Sequence, residues 1–285
     1  MKLIKNARML MENGSFAQSM DILFDKKIIR TGSKLAEEYQ SAECEIMDAQ
    51  DRYVTPGLID AHCHIGICEN GMGFEGEDVN EITNPITPAL RGLDGINPRD
   101  ESFAEAREAG VTAVLTGPGS ANVIGGSFCA LKTFGSTIED MLIKEPAALK
   151  AALGENPKRC YGSKGKLPMT RMGTASVIRE AFVKAQNYMR KMDNPDPDKR
   201  PDRDLGLEVL VKALKREILV KCHAHRSDDI LTAIRLGREF NLNMTLEHCT
   251  EGYLIAGELR EAGVGVILGP LLCDRSKPEL KRLSM

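Results

Sequence analysis

From Val54 onward, segments patterned as β-strands alternate with segments patterned as helices. Residues 58–64 form an apolar run that ends in polar residues, residues 102–109 have a helical pattern, and residues 111–116 are rich in β-branched side chains. Strands and helices that alternate at this spacing are typical of a parallel α/β fold. Periodicity leaves two architectures open, a doubly wound sheet and a (β/α) barrel of the TIM type.

The positions of the histidines favour the barrel. Seven strands are predicted in this region, near residues 58, 111, 127, 148, 218, 243 and 264, whereas a closed barrel of this type needs eight. All five histidines fall at predicted strand ends, in three groups: His62 with His64, His223 with His225, and His248 alone. In a barrel these ends meet at one mouth, where the site is built from several strands.

The strongest chemical signal is the segment Asp60-Ala61-His62-Cys63-His64. Side chains alternate along a strand, so His62 and His64 point to the same face, where two imidazoles can bind one divalent metal together. Taken alone, such a pair is more often two half-buried histidines satisfied by hydrogen bonds, because short motifs constrain function only loosely.

The other two histidine groups favour a metal site over two unrelated buried histidines. Lys221-Cys222-His223-Ala224-His225 has the same spacing at the end of another predicted strand, and His248 ends a third. A lone His248 would be interpreted as a core or capping residue. Because all three groups would converge at one barrel mouth, we predict a metal site there.

A fourth-strand ligand has two candidates. Glu155 follows the predicted strand near residue 148, and a carboxylate there could bridge two metal ions, which in hydrolytic sites lie about 3.5–4 Å apart. A glutamate in a surface loop is an equally good interpretation. Lys158 is a weaker candidate for the same place, as a lysine modified by carbon dioxide.

Composition excludes several classes of protein. The 285 residues carry 38 Lys and Arg against 41 Asp and Glu, a net charge of −3, and 42% are hydrophobic. There is no basic excess to indicate a nucleic-acid partner, and the apolar fraction is too high for a disordered chain. The N-terminus lacks an apolar signal sequence, and no apolar run approaches the roughly 18 residues of a membrane span. We therefore expect a cytoplasmic protein without a membrane partner, whose eight cysteines, none in a CxxC pair, are reduced.

Residues 1–53 have a different pattern, with short strands predicted at 2–7, 20–24, 27–31 and 43–47 and a turn signal at Asn13-Gly14. Such a piece is too small to be stable alone. We predict a partial β-sandwich over residues 1–53 that takes its other half from elsewhere, and a barrel over residues 54–285.

The segment VTPGLIDAHCH, from Val54 to His64, resembles the amidohydrolase superfamily, with the imidazolonepropionase-like amidohydrolases as the nearest group. His223 and His248 at the next expected strands strengthen the resemblance, which covers nearly the whole chain. It implies a metal-dependent hydrolase on a distorted (β/α)₈ barrel, with a small β-sandwich built from both chain termini.

The resemblance also implies roles for the site residues. His62 and His64 would bind the first metal, His223 would be the fifth-strand ligand and His248 the sixth-strand ligand. His225 would lie behind the ligands or face the substrate. Glu155 would occupy the bridging position that many members fill with a carboxylated lysine.

The implied cofactor is one or two divalent metal ions, with zinc as the first choice and iron, nickel or manganese as alternatives. The implied substrate is a small molecule with a C–N bond in a cyclic amide, an amidine or a peptide-like group, and a homo-oligomer is an open alternative. In this family a general base, an aspartate at the end of the eighth strand, moves the proton from the attacking water to the leaving nitrogen.

The sequence departs from the family pattern after the predicted strand at residues 264–268. It continues through Asp274 into a predicted short helix at residues 278–283, and neither an eighth strand nor its aspartate is predicted. We do not transfer the role of the base to Asp274, so the catalytic residue stays unassigned. Two hypotheses follow: a fragment of a longer amidohydrolase, or a truncated, non-catalytic metal-binding or scaffold protein of the same fold.

Overall fold

The computed structural model describes residues 1–39 and 44–270. The chain divides into two compact units, Met1–Leu58 and a second unit that begins at Ile59. The predicted helix at residues 278–283 and Asp274 lie outside the described residues. The predicted division into a partial sandwich and a barrel stays a prediction.

The first unit contains one five-stranded sheet in the order β3-β2-β1-β4, with β5 also paired to β1. Its strands are β1 (Lys2–Leu10), β2 (Phe16–Phe24), β3 (Ile28–Gly32), β4 (Glu45–Asp48) and β5 (Tyr53–Val54). Strands β1 to β3 are antiparallel, and β4 and β5 run parallel to β1. Gly14 takes a φ of 80° in the β1–β2 turn, which confirms the turn predicted there. Leu3, Leu23 and Leu35, the last on the short helix α1 (Leu35–Glu38), form a small core.

The second unit contains a seven-stranded sheet whose strands are neighbours in chain order. They are β6 (Leu58–Cys63), β7 (Val111–Thr116), β8 (Ile124–Lys132), β9 (Leu142–Ala152), β10 (Leu219–Ala224), β11 (Met244–His248) and β12 (Gly265–Leu268). The sheet curls back on itself, because Glu247 on β11 lies 3.2 Å from His62 on β6 although four strands separate them in the sheet order. The result is a nearly closed, barrel-like sheet.

The expectation of a wholly parallel sheet is wrong at β8. This strand is antiparallel to both β7 and β9, whereas β9, β10, β11 and β12 are parallel to one another. A parallel pair needs a crossover of about a dozen residues or more. Residues 117–123 before β8 and residues 133–141 after it are too short for that, and the second connection contains only the single-turn helix α3 (Ile138–Met141).

Helices cover the sheet and pack against it with their apolar faces. The remaining helices are α2 (Glu101–Glu108), α4 (Glu155–Gly162), α5 (Arg171–Met192), α6 (Leu205–Leu214), α7 (Ser227–Glu239) and α8 (Ala256–Ala262). The Thr170 hydroxyl accepts from the Gly173 amide and caps α5, whose Phe182 lies 5.2 Å from the Phe240 ring. Among the described residues, no helix is both long and apolar enough to cross a membrane.

A long connection joins β6 to α2, over residues 64–100, and contains two 3₁₀ turns, Gly73–Gly76 and Gly92–Gly95. Asp100 closes its base, because its carboxylate accepts from the Gly66 amide at one end of the connection and from the Ser102 amide at the start of α2. The buried carboxylate therefore holds this segment against the end of β6.

Candidate metal centre

His62 and His64 lie at the C-terminal end of β6 with ring centroids 5.2 Å apart. The Nδ1–H of His64 donates to the Gly117 carbonyl over 2.7 Å. A carbonyl only accepts hydrogen bonds, so Nδ1 carries the proton and the lone pair lies on Nε2. Burial lowers the pKa of His64 to about 4. The ring is thus held neutral and oriented, as a metal-binding imidazole must be.

His62 is almost completely buried, with a side chain 8% exposed, and stacks on Phe128 at 5.5 Å. Its Nδ1 lies 3.2 Å from a Glu247 carboxylate oxygen, but neither ring nitrogen has a hydrogen-bond partner among the described residues. Burial and the nearby ammonium groups of Lys150 and Lys221 hold its pKa far below the ordinary value. A neutral imidazole with two buried, unsatisfied nitrogens calls for a ligand that is not a protein atom.

His223, His225 and His248 form a second group at the ends of β10 and β11. One ring nitrogen from each of them lies within 4.8 Å of the other two. The His248 ring lies 4.6 Å from His223 and 5.3 Å from His62, centroid to centroid. The structure therefore brings together all five histidines, from three strands that are distant in the sequence.

Backbone and side-chain partners orient this second group. His248 donates Nδ1–H to the Gly269 carbonyl over 2.6 Å, and His225 Nδ1 lies 2.7 Å from the Thr250 hydroxyl. His248 and the following Cys249 have φ values of 70° and 48°. Residues other than glycine rarely take this left-handed conformation, which costs of order 1–3 kcal/mol for each residue.

Asn156 contacts the same histidines from α4. Its side-chain nitrogen lies 3.2 Å from His223 Nε2 and 2.7 Å from the Ser120 hydroxyl. The amide therefore links the end of β10 to the loop that follows β7, and it is a contact that sequence reasoning missed.

A buried charged cluster, which we define as Lys150, Lys221 and Glu247, lies next to His62. Lys221 Nζ donates to Glu247 Oε1 and to the Ala61 carbonyl, each over 2.9 Å. The Lys221 and Glu247 side chains are 1% and 0% exposed. Because Lys221 lies on β10, Glu247 on β11 and Ala61 on β6, these two bonds tie together the three strands that carry the histidines.

Lys150 is the member of the charged cluster without a hydrogen-bond partner among the described residues. It pairs in register with Lys221 across β9 and β10, and its Nζ lies 5.5 Å from the centre of the Phe128 ring. Burial is the main reason that its pKa falls to about 8. Sequence reasoning missed Lys150, although a lysine inside an apolar strand was the available signal.

The two residues predicted for the fourth-strand position lie on α4, which begins three residues after the end of β9. Glu155 is the first residue of that helix, with a carboxylate 3.6 Å from the Arg159 guanidinium, and Lys158 follows one turn later. Lys150 lies on β9 itself, the fourth strand of the sheet, with its side chain buried inside.

A cavity of about 610 Å³ opens beside His64. Its walls come from the long connection after β6, from the loop after β7 and from α4, including Asn80, Ser120 and Asn156. The connection over residues 64–100 therefore forms part of the wall of this cavity.

The comparisons with known proteins agree with this geometry, although no family model matches the chain. The crystal structure of an amidohydrolase from Thermotoga maritima is 41% identical, superposes with a TM-score of 0.93, and is matched over 100% of this chain and 74% of that chain. The chain belongs to the amidohydrolase superfamily. The superfamily assignment predicted from the segment VTPGLIDAHCH is thereby confirmed.

Other relatives match this amidohydrolase over smaller parts of their length. The amidohydrolase tasK of Hapsidospora irregularis is 29% identical over 259 residues, which is 82% of this chain and 26% of that protein. A dihydroorotase of Ruminiclostridium cellulolyticum is 47% identical over 64 residues, 22% of this chain and 14% of that protein. The chain thus spans about a quarter or less of the length of these two curated relatives.

Proposed function

We propose that this amidohydrolase binds one or two divalent metal ions through His62, His64, His223 and His248 and hydrolyses a C–N bond of a small molecule. The observation that carries the proposal is the convergence of these four imidazoles from three strands. Two of them, His64 and His248, are fixed by Nδ1–H bonds to backbone carbonyls. This second contact is typical of histidines that bind metals, because it fixes the tautomer and the ring orientation.

The residues present fit a metal ion. Both ring nitrogens of His62 are buried without a hydrogen-bond partner among the described residues, and a buried polar group that nothing satisfies costs about 1–3 kcal/mol. Coordination through Nε2 would remove that cost at one nitrogen, while Nδ1 faces the Glu247 carboxylate at 3.2 Å. Imidazole suits zinc, and also iron, nickel and copper. A bound divalent ion would supply polarisation of the scissile carbonyl and a lower pKa for water.

The fourth-strand contribution is part of the same proposal and falls to Lys150. The charged cluster holds two ammonium groups against one carboxylate, all buried. The neutral amine of Lys150 would attack the carbon of CO₂, forming one N–C bond and releasing one proton. The resulting carbamate carries one negative charge and two oxygen ligands, and it would change the net charge of the cluster from +1 to −1, which favours a divalent cation beside it. Glu155 and Lys158 remain predictions for this position.

The other site residues would orient and hold the reacting groups. Asn156 contacts His223 and fixes the side of the cavity nearest the histidines, while Thr250 positions His225. His225 stays a prediction as a neighbour of the ligands or of the substrate, and one of its ring nitrogens lies within 4.8 Å of a ring nitrogen of His223 and of His248. We assign no general base among the described residues. Zinc as the metal, a cytoplasmic location and a homo-oligomer also remain predictions.

Metal analysis tests the proposal directly. Divalent metal is measured in the purified protein, after chelation, and after reconstitution with zinc or manganese. His62→Ala and His248→Ala should each lower the metal content. The control is Asn241→Ala, because Asn241 lies two residues after the end of α7 and bonds Arg216 instead of the histidines, and it should leave the metal content unchanged. The proposal is refuted if the protein holds no divalent metal after reconstitution.

Hydrolysis is then measured on a panel of cyclic amides, amidines and dipeptides. The metal-loaded protein should hydrolyse at least one class, and His248→Ala should abolish that activity. Stoichiometric metal binding without hydrolysis of any compound would instead favour the non-catalytic scaffold hypothesis.

A further inference from the structure

We propose that the cavity beside His64 is a subsite for a carboxylate group of the substrate, which Arg159 and Lys164 bind. This inference rests on the proposed hydrolytic function and names the class of substrate: an amide that also carries a carboxylate. The cavity has a volume of about 610 Å³, enough for a small molecule, and both cations line it.

One face of α4 forms the wall that carries the subsite. Asn156, Arg159, Cys160 and Ser163 all line the cavity, and their spacing of three, four and seven residues puts them on one side of a helix. Asn156, at the start of this series, lies 3.2 Å from His223 Nε2. The wall therefore leads from the histidines directly to the cations.

The charge of the cavity favours an anion. Arg159 and Lys164 are its charged lining residues, and no carboxylate is among the described residues that line it, although the whole chain has a net charge of −3. Opposite charge in a cleft raises the local concentration of an anionic substrate. The positive charge of the cavity is thus local and opposite in sign to the net charge of the chain.

Both cations have partners that position them and leave donors for a ligand. Lys164 Nζ donates to the Ile82 carbonyl over 2.9 Å and lies 5.7 Å from the centre of the Tyr161 ring. An ammonium has three N–H donors, so this single bond fixes the group without saturating it. Arg159 lies 3.6 Å from Glu155 in an i,i+4 pair in which the arginine side chain is 67% exposed. A guanidinium has five N–H donors, so this one contact leaves donors for a substrate carboxylate.

Arg159 follows Asn156 by one turn of α4, a rise of about 4.5 Å along the helix axis. Asn156 contacts His223, so the first cation lies one turn away from a residue that touches the histidines. Suitable probes are N-acyl amino acids, which carry a carboxylate close to the amide. A neutral amide of the same size would leave both cations without an anionic partner.

The experiment compares N-acetylglycine with N-acetylglycinamide, together with the same pair for alanine, on the metal-loaded full chain. The wild-type protein should prefer the carboxylates by about tenfold to a hundredfold in kcat/KM, the range expected for hydrogen bonds to a charged group. Arg159→Met and the double variant Arg159→Met/Lys164→Met should abolish this preference by raising KM for the carboxylates alone. Salt should raise that KM in the wild-type protein and not in the double variant.

Arg179→Met is the matched control, because Arg179 also pairs with a glutamate, Glu239, on an exposed helix surface away from the cavity. It should keep the wild-type preference. A preference that survives the double variant, or that is lost equally in Arg179→Met, would overturn the subsite and leave the hydrolytic function standing.

Calorimetric binding of the same probes separates the two proposals. If no probe is hydrolysed, but N-acetylglycine binds more tightly than its amide and loses that advantage in Arg159→Met, then the subsite is supported and the hydrolytic function is not. Equal affinities for acid and amide in the wild-type protein, or no binding of any carboxylate, would overturn the subsite whatever the activity.

Discussion

Removing the ammonium of Lys221 should destabilise this protein more than any exposed charge change. Lys221 and Glu247 are 1% and 0% exposed and are joined by a 2.9 Å ion pair, with a further 2.9 Å bond from Lys221 to the Ala61 carbonyl. Lys221→Met keeps most of the side-chain volume but removes the ammonium that hydrogen-bonds the buried Glu247 carboxylate, and the remaining cation, Lys150, has no hydrogen bond to that carboxylate. Removal of one partner of a buried pair costs about 3–5 kcal/mol, a large share of the roughly 5–15 kcal/mol that stabilises a typical folded protein.

The assay is urea unfolding of the metal-free protein, followed by far-ultraviolet circular dichroism because the chain has no tryptophan. Arg203→Met is the control: it breaks the Arg203–Glu208 pair, whose arginine is 74% exposed, and should cost about 0–1 kcal/mol.

The triple variant Lys150→Met/Lys221→Met/Glu247→Leu keeps the test decisive if the single variant fails to fold. It removes all three buried charges of the cluster, so it should recover much of the lost free energy of unfolding. The reasoning is refuted if Lys221→Met costs no more than Arg203→Met, or if the triple variant is less stable than Lys221→Met.

Three further predictions follow from the site. First, burial lowers the pKa of His64 from 6.5 to about 4. Between pH 6.5 and pH 4 the unfolded chain therefore binds more protons than the folded protein. The contribution of His64 to the stability of the metal-free protein should be complete above about pH 6.5 and should decrease progressively toward pH 4. Urea unfolding at pH 7.5 and pH 5 measures this, and equal stabilities would contradict it. Second, with ¹³C-bicarbonate, the wild-type protein should show a carbamate carbon in its NMR spectrum that disappears in Lys150→Met and persists in Lys158→Met; a signal that survives Lys150→Met would rule out this residue. Third, the Asn156 amide donates N–H to His223 Nε2 and thereby holds a lone pair that a metal ion would need. Asn156→Ala should therefore tighten metal binding, by up to about tenfold for the loss of one competing hydrogen bond, and an unchanged or larger dissociation constant would contradict this.

The sequence predicts the number and position of the barrel strands well. All seven predicted strands of the second unit are present, and β7 begins and ends at the residues predicted, Val111 and Thr116. Apolar and β-branched runs report burial in a sheet, which is a local property. The direction of β8 is set by the short connections on either side of it, and periodicity carries no information about direction.

The histidines were found for a different reason. Polar side chains at the ends of predicted parallel strands have to meet at one edge of the sheet, so the convergence of His62, His64, His223, His225 and His248 could be predicted without knowing the fold in detail. Their roles as metal ligands remain a proposal, because the convergence of the strand ends determines where the histidines lie and does not determine whether a metal ion binds them.

The charged cluster and α4 were missed because local rules assign their residues elsewhere. Lysine and glutamate are almost never fully buried unless paired, so single-residue expectations place Lys221 and Glu247 at the surface. Lys221 lies two residues before His223, and the alternation rule that placed the histidines also turns Lys221 inward. Helix α4 starts with Gly154 at a φ of 84° and has Pro157 in its first turn, a pattern that resembles a loop although proline at the start of a helix is well tolerated.

The charged cluster also explains how the histidines can be oriented before any metal binds. Lys221 holds the Ala61 carbonyl, directly before His62, and the Glu247 carboxylate, directly before His248. One buried ammonium therefore holds a backbone carbonyl of β6 and a side chain of β11, at the two residues adjacent to proposed ligands. Since these segments are already ordered when the chain folds, metal binding would lose less conformational entropy. Loss of Lys221 should for that reason weaken metal binding as well as folding, even though its nitrogen is not a ligand.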